Sequence, residues 1–522
     1  MSSTRRTFLR VASAASLGAA VAAAHPAVAT ASEHGLNRAF ERLRRLLDGR
    51  LVLPGAPDYL RLEHANTKEF DHIRPRALLL AATAADVQRG VLFAQDHTLP
   101  LSVRSGGHHL RGWSTGTGLV LDLSGLHPET AVTDPHTVHM GPANTSAHTL
   151  EKLAPHGLAM PTGLCATVCP GGFLLGGGMG LLTPYAGLAA DRLVSAEVVL
   201  ADGRVVTASE HEHPDLLWAL RGGGGGDFGV VTRLTVDPVP LSQVVNYLVA
   251  WPYDAADRVV AAWQHWQADR PDALGSSVVL LRADEAPNAV PFVVVNGVWA
   301  GPPAPLERHL AELLDLVPVR PLVNAAVPQS YREAMSTWWA LAATMPPRPA
   351  AEDLLRSFTH ASDPIKGRVP RSALRVARGR YFDGPMPLTG IDRLLNAFDA
   401  DRRPGQSRVA STMRVAGRAG QVPRTSTAYV HRTATIHLDF GAQQRVSADI
   451  AADAAAGRAW ADNAVCAIAP FSNGEAYVNF PEPEDSDWAH AYWAENLARL
   501  REIKRRYDPH RVFRQPQSVV GP

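Results

Sequence analysis

The stretch HPDLLWALRGGGGGDFGVVTRLTV, His213 to Val236, contains a literal Gly224-x-Gly226-x-x-Gly229 and so poses the fold question directly. In a doubly wound dinucleotide-binding domain that loop follows a strand and opens a helix, whose N-terminal amides meet a pyrophosphate. Here the order is reversed: a helical pattern comes first, the glycines next, and the β-branched run Val230-Val231-Thr232 last. The match is read as coincidental for that fold. No Gly-Lys-Ser/Thr phosphate loop is present either.

Working outward, strand-like and helix-like pieces alternate from about residue 74 to 239. RALLLAA and LVLDLSGL read as strands, and TAADVQRGVLFAQDH as a helix capped by Thr83. SAHTLEKLAPHG is a second helix ending at Gly157, and LVSAEVVLADGRVVTA a hairpin around Ala-Asp-Gly. Composition shifts near Pro238. Residues 242–470 mix long helices (PLERHLAELLDLV) with strands (VPFVVVNGVWA, TSTAYVHRTATIHLDF) and read as a separate α+β domain. Residues 471–522 read as an aromatic strand, EAYVNF, a long helix, AHAYWAENLARLREIKRRY, and a turn at Asp508-Pro509.

At 522 residues the chain exceeds one ordinary core, and with 46% hydrophobic and 19% charged residues it is globular in composition. A net charge of +1 gives no support for nucleic-acid binding, and no apolar run past the N-terminus has the length of a membrane anchor. Residues 1–29 read as a twin-arginine export signal, with Arg5-Arg6 before a weakly apolar stretch and a small-residue cleavage site at Ala27-Val28-Ala29, so secretion of a folded protein is expected. Three cysteines, Cys165, Cys169 and Cys466, are too few and odd in number for a disulfide framework. No metal-site spacing is found.

Two further stretches carry chemistry. PTGLCATVCPGGFLLGGGMG, Pro161 to Gly180, has too many glycines for a regular element and too many apolar residues for an exposed loop. A buried irregular backbone needs partners for its N–H groups, and a polyanionic cofactor supplies them. SVRSGGHHLRGWS, Ser102 to Ser114, runs two glycines into two histidines, a backbone made for close approach beside side chains that bind or react.

VRSGGHH, GLCATVCPGG, LGGGMG, DLLWALRGGGGGDFGVVT and AYVNF…RYDPHRVFR follow one another in order. Together they resemble the berberine-bridge-enzyme-like FAD-linked oxidases of the vanillyl-alcohol-oxidase fold, over nearly the whole chain after the signal. The resemblance implies an α+β architecture. A two-part FAD-binding domain (30–241, completed by 471–522) is joined to an α+β substrate domain with an antiparallel sheet (242–470). It implies FAD held by two covalent links, from His108 and from Cys165; a Cys165–Cys169 disulfide is the alternative for the second. Arg104, Ser105, Gly106, Gly107, Val168, Gly171, Gly172, Gly176, Gly229, Val230 and Asn479 are the further expected cofactor contacts. Cys169, Asp227 and Phe480 depart from residues frequent in the family.

For catalysis the resemblance implies Tyr477 beside the reacting end of the flavin, its pKa lowered by nearby positive charge. Period-2 reading of the strand TAYVHRTATIHLDF puts His431, Thr433, Thr435, His437 and Asp439 on one face, with His437 and Asp439 the other candidate bases. The implied activity is oxidation of a sugar or secondary-metabolite alcohol or similar C–H donor. O₂ is the acceptor and H₂O₂ the product. The partners are then a small molecule and O₂. The alternatives are a natural-product-binding or resistance flavoprotein, and an oxidative cyclase or dehydrogenase.

Overall fold

The computed structural model describes residues 25–126, 130–282, 290–344 and 371–521. Most of the expected export signal lies outside them, and the helix His25–Arg44 runs through the expected cleavage site.

Three large sheets and one two-stranded pair, Leu158–Ala159 with Val239–Pro240, build the described residues. The first has the order Arg50–Val52, Ala77–Leu80, Leu119–Asp122, Leu101–Arg104, the last three mutually parallel. Its strands are near-continuous apolar runs because both faces are buried, and Leu78, Leu79, Val120 and Leu121 are fully enclosed. Helix Ala84–Asp96 covers it. The Thr83 hydroxyl accepts from the Asp86 N–H at its start, a capping box, and Val87 and Val91 point into the same core.

The second sheet is antiparallel, in the order Ala131–Asp134, Thr137–Met140, Val230–Val236, Leu193–Val199, Val205–Ala208. The opening stretch is resolved here. Helix Pro214–Leu220 ends, the glycines turn, and the chain enters the central strand Val230–Val236. The helix N-terminus is therefore at the far end from the glycines, which settles the mismatch with a dinucleotide fold. The C-terminal segment returns to this unit: Ala476, Tyr492, Trp493, Leu500, Ile503 and Val519 share its core. The buried Lys504 ammonium locks it in place, donating to Asp508 (2.7 Å) and to the carbonyls of Asp227 and Phe513.

The third sheet has seven antiparallel strands. Their order is Val323–Ser330, Gln243–Pro252, Phe292–Trp299, Leu274–Arg282, Gln406–Arg414, Ile436–Gln444, Leu374–Phe382. Helices Ala256–Ala268, Pro303–Leu316, Leu388–Asp399 and Ile450–Ile468 cover one face, with Trp263, Leu306, Leu394 and Trp460 in the shared core. The central strands look across a cavity at the glycine-rich half.

Four local expectations are corrected. The strand expected from Thr425 begins only at Ile436. Upstream, the N–H groups of Ala428 and Tyr429 donate to Trp218 and Arg221 carbonyls at the end of the glycine-side helix, and Arg432 is paired with Asp191. Those bonds take the backbone away from any ladder. EAYVNF is not a strand: the Ala476 N–H donates to the Ala491 carbonyl and the chain turns at Val478–Phe480. The long C-terminal helix is two, Trp488–Trp493 and Leu497–Tyr507, broken where Ala494 takes φ 38°. The glycine stretch contains one helical turn, Pro170–Phe173.

Candidate active site

A cavity of about 740 Å³ lies between the two halves. One wall is the loop that leaves strand Leu101–Arg104. Among the described residues, the backbone N–H groups of Ser105, Gly106, Gly107 and His108 donate to no protein acceptor, nor do those of Gly225 and Gly226 on the same cavity. Unpaired donors around a cavity form a cradle for an anionic ligand. Gly171, Gly172, Gly229 and Val230 also line it. Arg104 and Gly176 do not. The Arg104 guanidinium points the other way, onto Asp122 (2.8 Å) and the Leu62 and Glu63 carbonyls, and braces the loop from behind. Gly176 sits behind Asn479, where a Cβ would collide with the Asn479 side-chain amide.

His108 is enclosed by protein except toward the cavity. Its Nε2 meets the Thr167 hydroxyl at 2.9 Å and the Asn66 amide at 3.3 Å. Burial, and then the Arg375 guanidinium, hold its pKa down at about 3, so the imidazole is neutral. His109 instead stacks on Trp113 with ring centres 4.4 Å apart.

The two nearby cysteines differ sharply. Both are free, so the disulfide alternative is not formed. Cys165 Sγ accepts from Arg375 Nη1 at 3.1 Å and faces the cavity. Cys169 is buried, its Sγ–H donating to the Ala143 carbonyl at 3.2 Å; burial and then Asp122 push its pKa up to about 12. Val168 lines the cavity between them.

The floor is the third sheet. On strand Ile436–Gln444, Ile436, Leu438 and Phe440 enter the helix-covered core, while His437 and Asp439 face the cavity. His431, Thr433 and Thr435 lie upstream of the strand and off this floor; His431 Nδ1 meets Glu475 at 2.8 Å. Asp439 stands between Gly379 and Ser411 on the neighbouring strands. Burial raises its pKa to about 7, with Arg375 opposing. The neighbouring imidazole of His437, 3.8 Å away, has its pKa lowered to about 3 by burial, His431 and Arg380. It is therefore neutral, and packed between the rings of Tyr381 and Phe480. Gly379 makes this possible: a Cβ there would stand 2.7 Å from His437 Nε2. Farther along, the floor turns apolar, with Leu248, Val279, Leu281, Phe292 and Val294.

Tyr477 lies at the polar end of the floor, edge-on to His437. Its oxygen accepts from the Gly178 N–H at 3.0 Å and from Asn479 Nδ2 at 2.8 Å. Among the described residues no cation acts on it; burial raises its pKa, the amide donors only opposing. Asn479, expected as a ring contact, also donates to the Phe173 carbonyl (3.2 Å), so it aims the tyrosine as well as lining the cavity.

Sequence reasoning missed Arg375. Strand Leu374–Phe382 buries Leu374 and Val376 in the helix-covered core and turns Arg375, Ala377 and Gly379 the other way. A charged residue alternating with core residues was the available signal.

Unpaired donors lining a cavity, a neutral histidine and a cysteine against a guanidinium fit a flavin dinucleotide. Comparison with known proteins agrees. Residues 75–209 match the FAD binding domain family and residues 476–520 the berberine and berberine-like family. An uncharacterized FAD-linked oxidoreductase of Bacillus subtilis, YgaK, is 29% identical over 91% of this chain and 97% of its own. (R)-6-hydroxynicotine oxidase of Paenarthrobacter nicotinovorans is 40% identical over 36% of this chain and 42% of its own. Among solved structures, glucooligosaccharide oxidase from Acremonium strictum, described with a 6-S-cysteinyl, 8α-N1-histidyl FAD, superposes with a TM-score of 0.78. It is 22% identical, over 92% of this chain and 98% of that one. From its motifs, its sheet architecture and these matches, the chain belongs to the berberine-bridge-enzyme-like FAD-linked oxidoreductases of the vanillyl-alcohol-oxidase fold.

Proposed function

We propose that this flavoprotein is an exported oxidase that removes a proton and a hydride from an alcohol or similar C–H donor of a secondary metabolite or sugar. FAD held in the cavity would supply the hydride acceptor, with O₂ as terminal acceptor and H₂O₂ as product. The observation that carries the reading is Asp439. It is a half-buried carboxylate on the cavity floor with its pKa raised to about 7, where a general base works best at neutral pH. Neutral His437 beside it adds no charge and shapes the pocket. Tyr477 donates its hydroxyl proton as a hydrogen bond to the substrate oxygen. The apolar run from Val279 to Val294 across the floor supports a substrate with a flat apolar body over an oligosaccharide. A screen for H₂O₂ release should therefore respond to benzylic or allylic alcohols and amines more than to sugars. No H₂O₂ with any reduced carbon donor, or none from flavin already bleached and returned to air, would count against an oxidase.

His108 and Cys165 are the residues that hold the cofactor covalently in this reading. Support comes from the neutral imidazole with Nε2 already engaged, from the guanidinium on Cys165, and from the double linkage of the structural neighbour. Acid-precipitated protein is then expected to stay yellow. His108→Ala and Cys165→Ala should each retain one link, and the double variant should release all its flavin. Flavin that washes out of denatured wild type would refute both links. Two covalent bonds would suit a protein that acquires its cofactor before export and cannot replace it afterwards.

Val168, three residues beyond Cys165 on the cavity wall, is expected to lie on the path of O₂. One added methylene in a tight pocket excludes a small molecule or strains its neighbours. Val168→Leu should slow reoxidation of reduced flavin about tenfold or more while sparing reduction by substrate. Equal reoxidation rates would remove Val168 from that path.

A further inference from the structure

We propose that Arg375 is the positioning residue that selects Cys165 over Cys169 for attachment to the flavin, by holding the Cys165 sulfur as a thiolate aimed into the cavity. The inference rests on the two-link reading above and goes beyond it, to what makes the second bond form.

Two cysteines four residues apart lie on one glycine-rich loop, and sulfur attacks only as thiolate. Cys169 is disabled by its surroundings. It is buried, its S–H is committed to the Ala143 carbonyl, and the charged group acting on it is the Asp122 carboxylate, which disfavours a second negative charge. Cys165 has the opposite environment. Arg375 Nη1 sits 3.1 Å from its sulfur, and a guanidinium there stabilises the anion. Among the described residues, the other titratable groups coupled to Arg375 are His108, which is neutral, and Asp439. The Cys165 sulfur, foremost, raises the pKa of Arg375 against the effect of burial. Arg375 comes from strand Leu374–Phe382 of the substrate-side sheet, 210 residues away in sequence. The reactive sulfur is therefore completed only when the two halves of the molecule dock. That order keeps the thiolate from forming in an unfolded chain, where it would be open to oxidation.

The step balances as follows. A bond forms between Sγ and carbon 6 of the flavin ring, and the C–H bond at that carbon breaks. The thiol proton and the ring proton leave with two electrons. O₂, the acceptor of the proposed reaction, takes up both and becomes H₂O₂.

The test compares wild type, Arg375→Met and Arg375→Lys, each produced as holoprotein, precipitated in acid, digested, and analysed for flavin on the His108 and Cys165 peptides. Wild type should carry flavin on both. Arg375→Met should keep the His108 adduct, which certifies folding and cofactor capture, and lose the Cys165 adduct by about tenfold or more. Arg375→Lys, which keeps the charge, should recover most of it. Purified Arg375→Met incubated in air at increasing pH should regain the Cys165 adduct, because bulk deprotonation replaces the guanidinium; a merely structural arginine would not be rescued by alkali. A full Cys165 adduct in Arg375→Met, or an adduct that stays absent at every pH, would overturn the role of Arg375. A wild-type Cys165 peptide without flavin would overturn the two-link reading itself, and this inference with it. Flavin on Cys169 in Arg375→Met with Cys165 bare would support selection in its strictest form.

Discussion

Asp439→Asn is expected to slow reduction of the bound flavin by substrate ~10²–10⁴-fold, the usual contribution of a positioned general base. The substitution is nearly isosteric, so the strand Ile436–Gln444 and its neighbours Gly379 and Ser411 should pack as before. The pH dependence is the sharper readout. Burial raises the Asp439 pKa to about 7, because charge is costly away from water, and Arg375 pulls it only partly back. The ionised form is the base, so wild-type reduction should be slow in acid, rise with pH through about 7, and level off above it. The Asn variant has no proton to lose there and should show no such limb. Removing the Arg375 charge should move the limb to higher pH, since the opposing influence is gone. Anaerobic stopped-flow bleaching of the flavin over roughly pH 5–9 measures all of this. The loss should fall on the rate of reduction more than on substrate affinity. An Asn variant that bleaches as fast as wild type would take proton removal away from Asp439.

Much of this site is readable in the chain because its parts are local. His108 follows two glycines directly, Cys165 and Val168 are three residues apart, and a cofactor's contacts are written in short loops. Parity along a strand is local too, and it puts His437 and Asp439 together on one face, opposite Leu438. What the sequence hides is where backbone hydrogen bonds go. Residues 428–435 have as much strand character as 436–444, yet Ala428 and Tyr429 donate their N–H groups to Trp218 and Arg221, about two hundred residues earlier. Propensity carries no information about that competition. The break at Ala494 is hidden for the same reason: alanine is the best helix former, and tertiary packing overrides it. Arg375 shares no motif with Cys165, and only the docked sheet brings them to 3.1 Å. Tyr477 is identifiable by its place in Tyr-x-Asn, but its electrostatics depend on Gly178, 299 residues away.

That last environment decides what Tyr477 does, and it leads to a different expectation from a tyrosinate base. Its oxygen already accepts from the Gly178 N–H and from Asn479, which use its lone pairs. Burial raises its pKa further, so at neutral pH the phenol keeps its proton. With its acceptor capacity used, the hydroxyl has one thing left to offer, its own O–H. Hydride cannot easily leave a carbon beside a hydroxyl unless that hydroxyl also loses its proton, and the substrate oxygen then carries growing negative charge. A fixed donor aimed at that oxygen is worth more in the transition state than in the ground state. Tyr477→Phe is therefore expected to slow flavin reduction by ~10²–10³-fold, the cost of losing one such donor. The phenyl ring should preserve the packing against His437 and Phe480, and covalent flavin should be unchanged. Unlike Asp439→Asn, this variant should retain the limb near pH 7, because its base is intact. Asn479→Ala should give a smaller loss of the same kind by letting the hydroxyl wander. If Tyr477→Phe abolishes the limb while Asp439→Asn keeps it, the two roles are exchanged. Phenolate is then the base, and the three amide groups around its oxygen, from Gly178, Met179 and Asn479, serve to stabilise its charge.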